Sequence, residues 1–154
     1  MSGFVANSPT ITETDVSNTS FYPAISPTEC REVMRIDGSI TAERLRHALI
    51  NAMTEANDNL SLWMHTQQAQ GYASLTDVPA DQIDGVSINI QLYQRAVYNW
   101  AKAEITERYR DYDSTLKASQ RAETLDETID HYRREAIIAI RAISGRQRTT
   151  IELI

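Results

Sequence analysis

The side chains best able to do chemistry in this 154-residue chain are three histidines and a single cysteine. His47, His65 and His131 fall on different predicted helices, and none has a second histidine four residues away to complete a metal site on one helix. Cys30 has no second cysteine, so it forms neither an internal disulfide nor a cysteine-based zinc site. These residues therefore predict no metal centre.

Three aspartates, Asp77, Asp81 and Asp84, lie close together and are followed by Gly85. Their spacing differs from that of a calcium loop and the bidentate glutamate is absent, so we interpret them as turn formers and helix caps. The chain contains no nucleophile-elbow, phosphate-loop or dinucleotide-binding motif. We therefore expect neither an enzyme nor a bound cofactor.

The charge of the chain is unevenly distributed. It has 15 basic and 21 acidic residues, a net charge of −6, which argues against a protein that grips nucleic acid over a broad surface. Residues 47–94 contain no Lys or Arg, whereas most bases of the C-terminal half are arginines. The acidic residues of this base-free stretch are Glu55, Asp58, Asp77, Asp81 and Asp84. Either the surface is simply mixed, or the molecule is oriented between two neighbours.

The periodicity of apolar residues predicts an all-α protein, a bundle of about four helices. We divide the chain into an extended, flexible N-terminal arm (1–26), a helical bundle (27–147) and a short C-terminal β-strand (148–154). No apolar stretch reaches the roughly 20 residues of a membrane-spanning helix, and the first residues do not resemble a secretory signal.

Capping patterns and apolar spacing place the helix ends. The capping box of Ser26 with Glu29 begins the first helix. Apolar spacing places the start of the second helix near Thr41, and this helix bends or breaks at 57–59 before it continues toward Gly71. Residues 72–86 are expected to form a loop with at most one helical turn, before a third helix over 86–112. The fourth helix is expected to begin at the Thr124 capping box and to end at Gly145.

Two side-chain clusters, and the C-terminal strand described below, suggest contacts with other proteins. Phe21 and Tyr22 either pack on the chain's own helices or anchor it to a neighbouring subunit. The cluster that contains Arg108, Tyr109 and Arg110 is either a salt-bridged helix end or an interface patch, since Tyr and Arg often carry binding energy.

The C-terminal strand consists of Thr149, Thr150, Ile151, Glu152, Leu153 and Ile154. It is β-branched and alternating, and no other segment has the alternation needed to pair with it. A bare strand edge is an aggregation hazard, so we expect the strand to bind another protein rather than to fold back on a helix.

The stretch Leu75–Gly85 (LTDVPADQIDG) and the run Glu107–Arg110 resemble the head-completion/stabilisation (L-type) proteins of temperate contractile-tailed phages. The likeness continues through Arg44–Arg46, Arg95–Val97 and Ser119–Ile129. It covers the chain from about Phe21 to the C-terminus.

This resemblance implies a role. Such proteins bind the portal vertex after DNA packaging, stabilise the filled head against DNA leakage and present a surface to the tail. Related adaptors are helical bundles arranged in a ring under a twelvefold portal. The implied partners are the portal protein, neighbouring copies, a tail or neck completion protein and the passing DNA, and the implied location is the virion neck, with host cytoplasm during assembly.

Within this role, we assign portal binding to residues 149–154, lateral contacts to the two aromatics and the arginine cluster, and an acidic channel lining to the five carboxylates of the base-free stretch. Two alternatives remain open. One is a ligand- or metal-binding helical bundle, which would need inward-facing carboxylates or histidines. The other is a DNA-packaging accessory subunit that binds DNA directly.

Overall fold

The all-α class is confirmed, and the fold contains one short β-hairpin besides its helices. The computed structural model describes residues 13–108 and 118–145, except for the side chains of 118–124. The elements are α1 (Pro27–Met34), α2 (Ala42–Asn59), α3 (Ser61–Ala69), β1 (Gln82–Ile83), β2 (Val86–Ser87), α4 (Ile88–Arg108) and α5 (Ala118–Ile143).

The first two helix starts are confirmed by side-chain caps. Ser26 Oγ accepts a hydrogen bond from Glu29 N at 3.2 Å, and Thr41 Oγ1 accepts one from Arg44 N at 3.3 Å. Each cap satisfies a backbone N–H that has no partner within its helix. The predicted break after α2 is also confirmed: the fully buried Leu60 separates α2 from α3 with φ −97° and ψ 0°.

The predicted start of the last helix is wrong. Helix α5 begins at Ala118, so Thr124 and Glu127 lie within it rather than at its N-terminus. The segment before Thr124 contains Ala, Gln, Arg and Glu and no Gly or Pro, so it can extend a helix upstream of an internal threonine. The C-terminal prediction is confirmed, because the helix ends at Ile143 and Gly145 has a φ of +68°.

The loop predicted over residues 72–86 contains a β-hairpin that the sequence analysis missed. Strands β1 and β2 pair antiparallel, with Gln82 opposite Ser87 and Ile83 opposite Val86. Asp84 and Gly85 form the turn with φ values of 55° and 72°. Asp-Gly at this position is a typical signal for a two-residue hairpin, but strands of two residues are too short to show alternation.

Helix α4 is the centre of the fold. Its buried residues are Asn89, Tyr93, Ala96, Val97, Tyr98, Asn99, Ala101, Ala103 and Ile105. They lie on more than one face, because α1, α2 and α5 all pack against this helix. A single apolar stripe, as on an ordinary amphipathic helix, would therefore describe only part of its buried surface.

Helices α2 and α5 both run antiparallel to α4. Asn51 of α2 donates to Glu104 at 2.9 Å, whereas Asn57, further along α2, accepts from Tyr93 at 2.7 Å. On α5, Leu125 shares a surface cleft with Ile105 of α4, and Glu135 pairs with Arg95. The C-terminal ends of α2 and α5 therefore lie near the beginning of α4.

Residues 13–26, here called the N-terminal segment, belong to the predicted flexible arm, but they pack against the helices. Val16 and Ile25 form an antiparallel bridge, with N–O distances of 2.8 and 3.0 Å. Both side chains are buried, as are Phe21 and Tyr22. The apolar residues interspersed among its polar ones offset the ordering entropy that we had expected to keep it extended. Residues 1–12 lie outside the described chain.

A two-pronged ion pair anchors the start of the N-terminal segment. Arg31 of α1 donates through Nε and Nη2 to the two carboxylate oxygens of Glu13, at 2.8 and 2.9 Å. The Glu13 side chain is only 6% exposed, and its backbone N donates to Thr28 at 3.1 Å. The side-chain hydrogen bond from Arg31 to the Glu13 carboxylate raises the pKa of the Arg31 guanidinium. Paired geometry of this kind fixes position as well as charge.

A closed polar network holds the same segment against α2 and α4. Asn18 Nδ2 donates to Tyr93 Oη at 2.9 Å, and Tyr93 donates to Asn57 Oδ1 at 2.7 Å. Asn57 Nδ2 completes the ring by donating to Asn18 Oδ1 at 3.0 Å. Burial raises the pKa of Tyr93 to about 12, so its hydroxyl remains a donor at neutral pH.

We expect Tyr93→Phe to lower the free energy of unfolding by about 1–2 kcal/mol, because it removes the hydroxyl that accepts from Asn18 Nδ2 and donates to Asn57 Oδ1. Tyr22→Phe is the matched control: the Tyr22 hydroxyl is buried without a hydrogen-bond partner, and its ring stacks on Tyr93 at 4.9 Å. Removing that hydroxyl should leave stability unchanged or raise it by up to about 1 kcal/mol. Urea unfolding measures both, and equal effects would contradict the network's role.

Candidate functional site

Most of the predicted acidic lining lies toward one end of the bundle. Asp58 is near the C-terminal end of α2, Asp81 immediately precedes the hairpin that leads into α4, and Asp84 lies in the turn of that hairpin. Because α2 is antiparallel to α4, these positions lie at the same end, here called the acidic end. All five carboxylates of the predicted lining are exposed. Arg141 on α5 also lies toward this end. The acidic end therefore contains more acidic than basic residues, but not acidic residues alone.

The hairpin at the acidic end is held firmly. Gln91 Nε2 of α4 donates to the carbonyl oxygens of Ile83 at 2.8 Å and Val86 at 3.0 Å. Ile88 N donates to Asp81 O at 2.9 Å. The side chains of Ile83 and Val86 are 58% and 42% exposed. The hairpin therefore presents the apolar pair Ile83 and Val86 on a supported turn that carries the Asp84 carboxylate.

Asp77 also has a local structural role, as the sequence analysis expected of the aspartates. Its carboxylate accepts a hydrogen bond from Ser74 Oγ at 2.8 Å, and its backbone N donates to Ser74 O at 3.0 Å. The turn so formed contains the fully buried Leu75, whose N donates to Phe21 O at 2.8 Å. The loop that carries Asp77 is thereby tied to the N-terminal segment.

The two aromatics assigned to a subunit contact are part of the chain's own core. Phe21 packs edge-on against Tyr22 at 5.0 Å between ring centroids and against Trp63 of α3 at 6.3 Å. Tyr22 stacks on Tyr93. The rings of Phe21 and Tyr22 are 2% and 5% exposed, so they offer no surface to a neighbouring subunit. They pack within the chain's own core and do not anchor it to a neighbour.

The remaining predicted contact residues are only partly within the described chain. Arg108 ends α4 and pairs with Glu104 four residues earlier, at 3.0 Å between Nη2 and Oε1, with its side chain exposed. This is the salt-bridged helix end of the sequence analysis, and the exposed guanidinium remains accessible. Tyr109, Arg110 and the strand 149–154 lie outside the described residues.

The candidate chemical residues are dispersed in the structure. His47 is exposed, with Nδ1 3.9 Å from Glu104 Oε1. Along α5, Glu127 and Glu135 are each four residues from His131, and Glu135 pairs with Arg95. Across residues 13–108 and 118–145, no three His, Cys, Asp or Glu side chains form a group able to hold a metal ion. Burial raises the pKa of the Cys30 thiol to about 12, so it remains a neutral thiol.

A groove between α2, α4 and α5 is a feature that the sequence analysis did not identify. It has a volume of about 450 Å³. Its lining residues are Asn51, Ala52, Glu55, Asn59, Trp100, Ala103, Glu104, Glu107, Arg133 and Ile137. The sequence contained one signal for it, because Ile137 is a large apolar residue that interrupts the polar face of α5. In the structure its side chain is 42% exposed.

The comparisons with known proteins agree on one family. Residues 16–154 match the family model described as phage head completion protein (GPL). The chain belongs to this family. It is also 39% identical, over 139 residues, to the head completion/stabilization protein of Escherichia phage P2, an alignment that covers 90% of this chain and 82% of that protein. No solved structure matches.

Family membership has two consequences. Phage head completion proteins are structural rather than catalytic, and a phage head protein has its place in the virion. In the part of the chain that the structure describes, no helix is both long and apolar enough to cross a membrane.

We expect Gly85→Ala to destabilise the protein by about 1 kcal/mol, because an alanine at a φ of 72° is strained. Gly38→Ala is the matched control, since that glycine has open space around its Cβ position and no left-handed backbone. Thermal unfolding measures both, and hydrogen exchange at Val86 and Ile88 tests whether the loss is local to the hairpin. Equal destabilisation by both substitutions would contradict the strained turn.

Proposed function

We propose that this chain is a head completion adaptor that binds the portal vertex after DNA packaging. In this role it stabilises the filled head against DNA leakage and forms the ring on which the tail or neck completion protein attaches. The carrying observation is its family match over residues 16–154, together with the function named for its phage P2 relative. Its place is the head–tail neck of the virion.

The C-terminal strand is the proposed portal-binding element. Helix α5 ends at Ile143, and nine residues follow Gly145. The strands in the described chain pair with each other and are two residues long, too short to pair with all of the six-residue segment Thr149–Ile154. We infer that this segment adds to a portal sheet, where backbone hydrogen bonds supply affinity and alternate side chains such as Ile151 and Leu153 fill pockets.

The acidic residues are the proposed channel lining. Glu55, Asp58, Asp77, Asp81 and Asp84 are exposed, and no Lys or Arg occurs in residues 47–94. DNA phosphates facing this surface would be repelled rather than bound. An adaptor that repels the duplex lets it pass during packaging and ejection without sequence-specific binding.

For the portal contact, we expect Ile151→Pro to weaken binding to purified portal rings by about tenfold or more. Proline removes a backbone N–H from the added strand and restricts its φ angle. Ile151→Val, which keeps the strand propensity, is the control. Biolayer interferometry measures affinity and circular dichroism verifies the helices. Deletion of residues 149–154 should abolish binding with an unchanged helical signal, and retained binding after that deletion would refute this contact.

For the lining, we expect phage particles carrying Asp77→Lys, Asp81→Lys and Asp84→Lys together to eject their DNA more slowly, because the phosphates then meet positive charge. The matched Asp→Asn triple variant removes the repulsion without adding attraction and should have a smaller effect. A fluorescent DNA-release assay compares the rates. Unchanged ejection by the lysine variant, or an arginine-dominated lumen in the imaged neck, would contradict the proposed lining.

A further inference from the structure

Two exposed surfaces with complementary chemistry lie on opposite faces of the central helix. The first is the α2–α4–α5 groove. Its lining includes Trp100, Ile137 and three glutamates, of which Glu104 pairs with Arg108 and Glu107 with Arg133, so that Glu55 is the glutamate left to meet an incoming cation. Glu55 accepts a hydrogen bond from Asn59 at 3.0 Å, and no described Lys or Arg forms an ion pair with it.

The second surface is the C-terminal end of α1, here called the α1 tip (Val33 and Arg35). Val33 is 60% exposed. Arg35 caps the helix in the left-handed conformation with a φ of 51°, and its side chain is exposed. Arg35 forms no ion pair with a described carboxylate. The α1 tip therefore combines an apolar side chain and an unpaired cation on a fixed turn.

The position of Lys102 shows that these surfaces face apart. Lys102 Nζ reaches Arg35 O at 3.5 Å, which places this residue on the α1 side of α4. Trp100 and Glu104, which line the groove, are each two residues from Lys102. Residues two apart on an α-helix point about 200° away from each other. The groove and the α1 tip are therefore on nearly opposite sides of the molecule.

We propose that the α1 tip of one copy docks in the α2–α4–α5 groove of the next, with Arg35 at Glu55 and Val33 against Ile137. Complementary surfaces on opposite sides generate a head-to-tail contact, which forms a ring where the rotation closes. This inference rests on the proposed function for its ring, and it supplies the lateral contact that buried Phe21 and Tyr22 cannot make. The occupant is a second copy of this chain.

A covalent cross-link tests the contact. In the full-length chain, Val33→Cys with Ile137→Cys should give a ladder of oligomers with a short bismaleimide reagent as protein concentration rises. The pair Val33→Cys with Leu62→Cys is the control, because Leu62 is 74% exposed but does not line the groove. The wild-type chain controls for the buried Cys30. A cross-link that stops at a dimer, or no ladder at the highest soluble concentration, overturns the proposal.

Charge reversal in the same cysteine background identifies the ion pair. Arg35→Glu alone and Glu55→Arg alone should each lose the ladder, whereas a mixture of the two variants should restore it, because each tip then meets a groove of opposite charge. Arg134→Glu, an exposed position outside the groove, controls for net charge. A ladder that survives both single changes, or a mixture that stays monomeric, overturns the pairing. Portal binding is measured separately, so loss of the ladder alone leaves the proposed function standing.

Discussion

The fold depends on one constraint, the burial of α4 on several sides at once. A helix in which the consecutive residues Ala96, Val97 and Tyr98 are all buried cannot be covered by a single partner, since these side chains point in different directions and one helix covers only a stripe of another. Helices α1, α2 and α5 share that task. Because each gives its inner face to α4, their outer faces and the clefts between them become the molecular surface, and any contact with other proteins is made there.

The N-terminal segment completes the enclosure where helices leave a gap. It is held at its start by the Glu13–Arg31 pair, in its middle by Asn18 and near its end by the Val16–Ile25 bridge. Phe21 and Tyr22 then fill the space beside Tyr93 and Trp63. The polar contacts are specific in direction, whereas the aromatic packing supplies buried area, so the two together fix one position for the segment.

Local signals predicted the parts of the fold that local physics decides. The cap at Ser26, the helix start near Thr41, the break before Leu60 and the stop at Gly145 each depend on a few neighbouring residues, and all four are present. The start of α5 was missed because helix propensity upstream outweighed the capping pattern at Thr124. The burial of Phe21 was open from sequence, since its partner Trp63 is 42 residues away and only the tertiary fold brings them together.

The candidate site follows the same division. Carboxylates could be identified from the sequence because the absence of bases over residues 47–94 is a one-dimensional property. The groove could not, because Glu55, Glu104 and Ile137 come from three helices and share a surface only after those helices pack on α4. That distinction matters for the proposed adaptor role. Repulsion of DNA needs only net charge in the right region, whereas a lateral contact needs shape and opposite charge on two separate faces. The central helix provides the framework for the proposed lateral contact, since its enclosure by three helices leaves a cleft on one side and the end of a short helix on the other.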